Sequence, residues 1–530
     1  MESARLLKDL LGRDRGSVAE MWEARCRATP SAAFLLYEGR RRSYAEAWEE
    51  SRRFAGFLKA NAGPRPRIST YLSKRPEALW AWFGTTLAGG LHCALNRAHK
   101  GAVLADMAAR SRPEWLVTEK AAWDGLPEPA KHGITRVLFV DEAPADITGI
   151  EVRDWSAVAR ADPADPVPSS PADAVCLLYT SGTTGRSKAV LVPHNMYARG
   201  GANVAAAFGM GPRDVIHDWM PLSHVGGQMH MTLSAAASGA CLAMYETFSR
   251  SKFWEQIAQC KATIFFGFSN ILTLLMMAPE GPADRNHGLR VGLVAHMQAA
   301  QQVAFEKRFG VKLWDTYGMS EGEPMTLPAP GVPAGCSGAP GPDFELAIVD
   351  EDDNLLPAGQ VGRIVARPRV ADVMMKGYEG DETATVEAWR NLWFHTQDLG
   401  RLDENGFLWY VDRLKHSIRR GNENVSSAEV ERALKMHPRV HEAAVVGVPD
   451  PIAGEAVKAV VVPKPGERLN PSEIHAYARD SMARFMVPRY IEVREVLPYT
   501  DIGKVKRDAL REIGPDTWDA EAGNTEARRA

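Results

Sequence analysis

The sequence predicts an α/β fold: a large N-terminal region of layered β-sheets and helices, then a small α+β domain. Three observations predict it. From Pro76 to Val140, helix-like and strand-like segments alternate, the pattern of sheets covered by helices. From Phe344 to Val370 the residues alternate as in antiparallel strands, with turns at Asp352-Asp353-Asn354 and Gly359-Gln360. Near residue 412 the chain becomes charged and turn-rich, and a compact β/α pattern of ordinary domain size follows.

Bulk properties narrow the class. A chain of 530 residues can bury a large core and form two or more domains. Hydrophobic residues make up 45% and the net charge is −3, which argues for a globular chain without a polyanion-binding surface. No apolar run approaches the roughly 20 residues of a membrane span. The N-terminal Met1-Glu2-Ser3-Ala4-Arg5 carries an early acid and lacks a signal-peptide core. Six scattered cysteines without a Cys-x-x-Cys argue against structural zinc and a disulfide framework. A cytoplasmic setting is expected.

The elements follow in order. Residues 1–60 read as helical, with a turn at Tyr37 to Arg40. Ser43 with Glu46 three residues on is a capping box, and Trp48, Phe54, Phe57 and Leu58 continue at helical spacing. Pro76 to Leu87 is helix-like; Gly89 to Leu95, Trp115 to Thr118 and Arg136 to Val140 are strand-like. Ala174 to Leu178 and Ala189 to Val192 read as strands around a polar loop. Val215 to Pro221 is a strand, Gln228 to Ala240 a helix of small and apolar residues, Ala262 to Phe268 a strand, Asn270 to Met277 a helix, and Arg290 to Ala295 and Lys312 to Asp315 strands. In the small domain Ser426 caps a helix from about Ala428 to Met436. Strands at 440–448, 456–462 and 490–496 and a helix at 472–483 follow, and the residues from Asp519 onward read as a disordered tail.

Four stretches could carry chemistry. The first is Tyr179-Thr180-Ser181-Gly182-Thr183-Thr184-Gly185-Arg186-Ser187-Lys188. Glycines open backbone N–H groups to an anion, hydroxyls donate, and a lysine adds charge, so the loop suits phosphate; a polar surface hairpin is the plainer reading. It is not a Walker loop, because two residues rather than four separate its glycines. The second, Gly318-Met319-Ser320-Glu321-Gly322, matches the nucleophile elbow of an esterase, with His224-Val225-Gly226-Gly227 as an oxyanion loop. Pro324, Pro328, Pro330 and Pro333 oppose the helix that an elbow needs. Otherwise Thr316 and Glu321 stand as a hydroxyl and a Mg²⁺-binding carboxylate at a strand end. The third is His395-Thr396-Gln397-Asp398, whose aspartate could take ribose hydroxyls or be a turn residue. The fourth is the basic loop Gly503-Lys504-Val505-Lys506-Arg507.

Together these stretches resemble the adenylate-forming superfamily of acyl-CoA synthetases, adenylation domains and luciferases. Tyr179 to Gly185 is its phosphate loop almost letter for letter. Pro221-Leu222-Ser223-His224, Tyr317 to Glu321, His395-Thr396-x-Asp398, Asp412-Arg413-x-Lys415 and Gly503-Lys504 match in order. Asp412-Arg413 and the block Arg420 to Ser426 are similar to the crotonobetaine/carnitine–CoA ligase-like group.

The resemblance implies an N-terminal ATP- and acyl-binding domain over 1–412, containing a distorted β-barrel. It also implies a mobile lid over 413–530 that hinges near Lys415. The activity implied is ATP-dependent acid–CoA ligation through an acyl-adenylate, with ATP, Mg²⁺ and coenzyme A, and a homodimer is allowed. Thr180, Ser181, Gly182, Thr183, Thr184, Gly185 and Lys188 would cradle the β/γ-phosphates. Tyr317, flanked by Gly318 and Met319, would stack on adenine, and Thr316 or Ser320 would orient the nucleotide. Glu321 would bind Mg²⁺, Asp398 the ribose with Arg413 nearby, and Lys504 would bridge carboxylate and α-phosphate. The acyl pocket would be lined near Trp219, His224, Gly227, Gln228, Phe266, Gly267, Phe268, His296 and Met319, with His224 also a catalytic candidate. Gly421, Asn422 and Glu423 would form the face toward CoA.

Departures from the family pattern mark what is in doubt. Ser187 and Ala189 replace the usual proline and glycine around Lys188. Gln397 replaces a glycine before Asp398, and Ala295-His296-Met297 replaces a Gly-Gly-Ala-like stretch. Asn422 stands where many relatives have a glycine that lets pantetheine pass, which puts the thioester step in question. Asp218 is offset from the aspartate by which amino-acid-adenylating domains hold an amine. An esterase, or an adenylating enzyme with a non-CoA acceptor, remains the alternative.

Overall fold

Alternating strands and helices build two large sheets in the first of two structural units. The computed structural model describes residues 2–12, 14–99, 101–180, 187–295, 297–414, 417–420, 423–450, 454–482, 484, 486–500 and 503–522. The first unit comprises Met1–Leu346 and Ala366–Trp393, the second Ala347–Val365 and Phe394–Ala530.

One sheet of the first unit has eight strands in the order Gly377–Tyr378, Ala189–Pro193, Ala174–Tyr179, Leu91–Ala94, Arg67–Tyr71, Trp115–Thr118, Arg136–Phe139 and Glu151–Asp154. From Leu91–Ala94 onward the neighbours run parallel. At the other edge, Ala174–Tyr179 and Ala189–Pro193 are antiparallel, with Leu177 opposite Leu191 and Tyr179 opposite Ala189. The second sheet has seven strands, Lys312–Trp314, Val291–Ala295, Ile264–Phe268, Val215–Asp218, Cys241–Met244, Ala33–Tyr37 and Arg40–Ser43. All its pairings are parallel except the last hairpin.

Helix Tyr44–Asn61 starts where the capping box places it, with Ser43 and Glu46 exchanging both cap hydrogen bonds. Its Phe54, Phe57 and Leu58 are buried against Trp115, Val117 and Leu138. Helix Pro76–Leu87 has proline in its first turn, and Phe83 stacks on Trp22 at 4.1 Å.

Four expectations change. Residues 33–43, expected as helical on either side of a turn, form the antiparallel strands Ala33–Tyr37 and Arg40–Ser43. The segment expected as one helix from Gln228 begins as a π-helix, Gly226–Leu233, followed by the α-helix Ser234–Ser238. The Thr232 hydroxyl donates to the Gly227 carbonyl five residues back at 2.8 Å, which supports the wider turn. Ser426 ends strand Glu423–Ser426, and the helix runs Ser427–Lys435. Its first turn is capped by Asp412: Oδ2 accepts from the Ser427 hydroxyl at 2.6 Å and the Ala428 N–H at 3.1 Å. Asp519 to Ala522 are ordered: Trp518–Asp519 pairs with Tyr490–Val493, and both Asp519 oxygens take the Arg489 guanidinium. Residues 523–530 lie outside the described residues.

Phe344–Val349, Gly362–Pro368, Trp393–Leu402 and Leu408–Arg413 lie in one sheet, most of whose residues belong to the second unit. A second sheet runs Glu423–Ser426, Ser417–Arg420, Gly454–Pro463, Tyr490–Val493, Trp518–Asp519, with Val440–Asp450 also on Gly454–Pro463. Val430, Leu434, Val445, Val457, Ile474 and Ile491 fill one face of it. Among the described residues no helix is long and apolar enough to cross a membrane, and the six cysteines are free.

Candidate active site

Strands Ala174–Tyr179 and Ala189–Pro193 hold the ends of the expected phosphate loop. The Thr180 N–H donates to the Lys188 carbonyl at 3.0 Å and closes its base. Arg110 braces the stem, lying 4.9 Å from the Tyr179 ring centroid and donating to the Ser187 carbonyl at 2.6 Å. Ser181, Gly182, Thr183, Thr184 and Gly185 lie outside the described residues. Lys188 is half-buried, with its ammonium 4.4 Å from the Tyr378 ring centroid. Tyr378 pairs with Val190 in the neighbouring strand, and its hydroxyl donates to Glu321 Oε1 at 2.8 Å. Burial and the Glu321 carboxylate push the Tyr378 hydroxyl pKa well up, so it stays a donor. Lys188 and Glu321 are thus linked through Tyr378, a residue outside the motifs legible in the sequence.

Thr316 precedes a sharp reversal, and Glu321 lies at its tip. Tyr317 N–H donates to the Thr326 hydroxyl at 2.7 Å, and the Tyr317 carbonyl accepts from Met325 and Thr326. At the tip, Met319 and Gly322 exchange backbone hydrogen bonds at 3.1 and 3.0 Å around Ser320 and Glu321. This geometry overturns the esterase alternative. A nucleophile elbow is a strand-to-helix turn, whereas Ser320 occupies a tight β-turn that leads to strand Thr326–Leu327. Gly318 is required here, because a Cβ would lie 2.7 Å from Glu323 Cγ. Thr316, Tyr317 and Glu321 are buried; Met319 and Ser320 are half-buried.

Among the residues expected around the acyl group, Trp219 donates its indole N–H to the Phe266 carbonyl at 2.8 Å. His224 accepts from the Gly226 N–H at 2.9 Å and meets Phe268 edge-on at 6.1 Å. Gly227 has no room for a side chain, since a Cβ would lie 2.4 Å from the Pro221 carbonyl oxygen. Gly267 sits against Ile271. Gln228 is fully buried, and its amide is spent inside the protein. Its Oε1 accepts from the Tyr197 hydroxyl at 2.6 Å and the Cys176 thiol at 3.2 Å, while Nε2 donates to the Leu222 carbonyl at 2.6 Å. Asp218 is fully buried with Oδ1 2.5 Å from the Lys74 ammonium. Burial pushes the Asp218 carboxyl pKa up and the Lys74 pKa down. His296 lies outside the described residues. The sequence reading also missed His230 and Glu323, a buried pair with Nε2 2.8 Å from Oε1. A lone histidine among the small residues after Gln228 was the available signal.

The remaining candidates belong to the second unit. Asp398 lies within strand Trp393–Leu402 rather than in a turn, directly opposite Arg413, with Arg413 Nε 3.2 Å from its Oδ1. Gln397 before it has a left-handed φ of 63°, a conformation that glycine adopts without strain. Lys504 is exposed, and its N–H and carbonyl bond Thr500 at 3.0 and 2.7 Å in a tight loop. Arg507 holds that loop's far end, donating to Glu431 Oε1 at 2.5 Å and the Val445 carbonyl at 2.6 Å. Lys415, Gly421 and Asn422 lie outside the described residues; Glu423 begins strand Glu423–Ser426.

Comparison with known proteins extends this picture. Residues 22–379 match the AMP-binding enzyme family, and residues 429–504 match the AMP-binding enzyme C-terminal domain. Crotonobetaine/carnitine–CoA ligase from Salmonella paratyphi A is 30% identical over 518 residues, 93% of this chain and 99% of that one. The ligase of the same name from Citrobacter koseri is 30% identical over 520 residues, with the same coverage. Among solved structures, ATP-bound MatB from Rhodopseudomonas palustris superposes with a TM-score of 0.84 at 24% identity, over 93% of this chain and 98% of that one. The amide bond synthetase McbA from Marinactinospora thermotolerans gives 0.81 at 25% identity, over 93% and 99%.

Proposed function

Because the chain belongs to the AMP-binding family of adenylate-forming acid–CoA ligases, we propose that it activates a small carboxylic acid with a cationic head. The family reaction is ATP-dependent. A carboxylate attacks the α-phosphorus and pyrophosphate leaves; a thiol then takes the acyl group and AMP leaves. The relatives named for crotonobetaine and carnitine support a cationic acid. So do the rings of Trp219, Phe266 and Phe268, whose faces attract cations.

The observation that carries the site assignment is the line Lys188–Tyr378–Glu321. We assign the loop from Thr180 to Lys188 to the leaving phosphates, Tyr317 to adenine, and Thr316 and Ser320 to nucleotide orientation. Asp398, with Arg413, takes the ribose hydroxyls, and His224 borders the reacting carboxylate. Lys504 supplies the cation for adenylation, where two anions must meet. Glu321 fits a magnesium ion held largely by substrate. Among the described residues no three His, Cys, Asp or Glu side chains gather as a cage, and Mg²⁺ typically takes one or two carboxylates plus phosphate oxygens and water. When bound, it would offset phosphate charge. Lys415 is assigned to the hinge, and Gly421, Asn422 and Glu423 to the CoA step.

Pyrophosphate release measured over a panel of cationic, aryl and short-chain acids tests this reading. Release with cationic acids alone supports it; release only with aryl acids overturns the substrate assignment.

A further inference from the structure

Asp218, Glu321 and Glu323 are buried carboxylates in the segments that carry the candidate site residues. Two are already answered. Asp218 meets the fixed charge of Lys74. Glu321 takes the Tyr378 hydroxyl. Glu323 is different. Its partner is a histidine, His230, with Nε2 2.8 Å from Oε1. Its side chain keeps 10% of its surface exposed, against 0% for Asp218.

The surroundings of the pair suit a ligand. His230 stacks on Phe266 at 6.0 Å and 25°, and Phe266 accepts the Trp219 indole N–H. Glu323 packs against Gly318, where a Cβ would lie 2.7 Å from its Cγ. The π-helical turn, the end of strand Ile264–Phe268 and the Tyr317–Met325 reversal therefore converge on the His230–Glu323 pair. The Phe266 ring stacks on its histidine partner, and among the described residues no Lys or Arg forms an ion pair with it. A buried carboxylate without a fixed counter-charge is costly to leave unanswered and favours a cation that can reach it.

We propose that Glu323 is the residue that selects the acid, its carboxylate facing the cationic head of the substrate. This rests on the acid–CoA ligase reading and deepens it. The selecting charge comes from a residue that replaces nothing in the reaction chemistry, so its loss should change which acid is used more than whether adenylation occurs.

Two probe acids of equal shape test it: 4-(trimethylammonio)butanoate and its neutral isostere 5,5-dimethylhexanoate. The native enzyme is expected to favour the cationic acid in kcat/KM for pyrophosphate release. Glu323→Gln should lower that preference by at least about 30-fold, the scale of removing one partner of a desolvated charge pair. The change should fall on KM of the cationic acid, with the neutral acid hardly affected. Glu323→Asp, which keeps the charge, should retain part of the preference. If Glu323→Gln fails to fold, His230→Gln serves instead and should preserve the preference for the cation. Equal preference in the native enzyme and Glu323→Gln, or loss of preference in His230→Gln, overturns the inference. Release with the neutral acid alone overturns the inference and leaves the ligase activity standing. No release with any acid defeats the ligase reading itself.

Discussion

The Tyr378 hydroxyl donates to Glu321 Oε1 at 2.8 Å, while the other side of the same residue's reach, its ring face, lies 4.4 Å from the Lys188 ammonium. One side chain thus sets the spacing between a cation on the phosphate-loop stem and the carboxylate assigned to magnesium. Tyr378→Phe keeps the ring and removes the hydrogen bond. A hydrogen bond to a charged group contributes about 1.5–3 kcal/mol, so adenylation should fall roughly 10- to 100-fold. Pyrophosphate release against magnesium concentration checks this, and the variant should need more magnesium. An unchanged magnesium dependence would remove Tyr378 from the site.

Three buried histidines make the first unit acid-sensitive. Burial pushes His92 down to about 3 and His194 and His217 down to about 4. Each stays neutral in the fold and takes a proton once unfolded, where its pKa is near 6.5. The unfolded chain therefore binds more protons between about pH 6.5 and 4, and stability rises with pH through that window. At pH 5 each histidine costs about 2 kcal/mol relative to neutral pH. Denaturant unfolding at several pH values should show this loss. His217→Gln, which keeps a partner for Gln256, should reduce it by about one third.

Asp412 accepts from the Ser427 hydroxyl, the Ala428 N–H and the Arg413 N–H. Asp412→Ala removes the cap of helix Ser427–Lys435 and leaves three donors without that acceptor. A loss of about 2–3 kcal/mol is expected from the cap and the buried donors together. Thermal unfolding of the second unit measures it.

Asn422→Gly tests the second half-reaction. If position 422 borders the pantetheine path, as the family resemblance implies, the glycine variant should raise CoA-dependent AMP formation and leave CoA-independent pyrophosphate release unchanged. A fall in AMP formation would show that Asn422 takes part in the CoA step.

Much of this was legible in the sequence because local signals agreed with the fold. The Ser43 capping box, the proline at the start of helix Pro76–Leu87 and the apolar strand Ala174–Tyr179 each depend on neighbours in sequence. What the sequence hid depends on distant pairing. Tyr378 reaches Glu321 only because Gly377–Tyr378 docks beside Ala189–Pro193. Asp412 caps a helix 15 residues ahead. Asp398 reads as a turn residue yet is a strand residue facing Arg413, since a bulge and the left-handed Gln397 break the alternation that would mark the strand. The π-turn at Gly226–Leu233 has the composition of an ordinary helix, and periodicity does not separate the two.

The central claim is that adenylation uses a lysine of the second unit rather than the one on the phosphate loop. Lys504→Ala should cut acid-dependent pyrophosphate release by two to three decades, about 3–4 kcal/mol of transition-state stabilisation. The same variant should still convert a supplied acyl-adenylate and CoA into thioester. Pyrophosphate release at the native rate in Lys504→Ala would contradict the account.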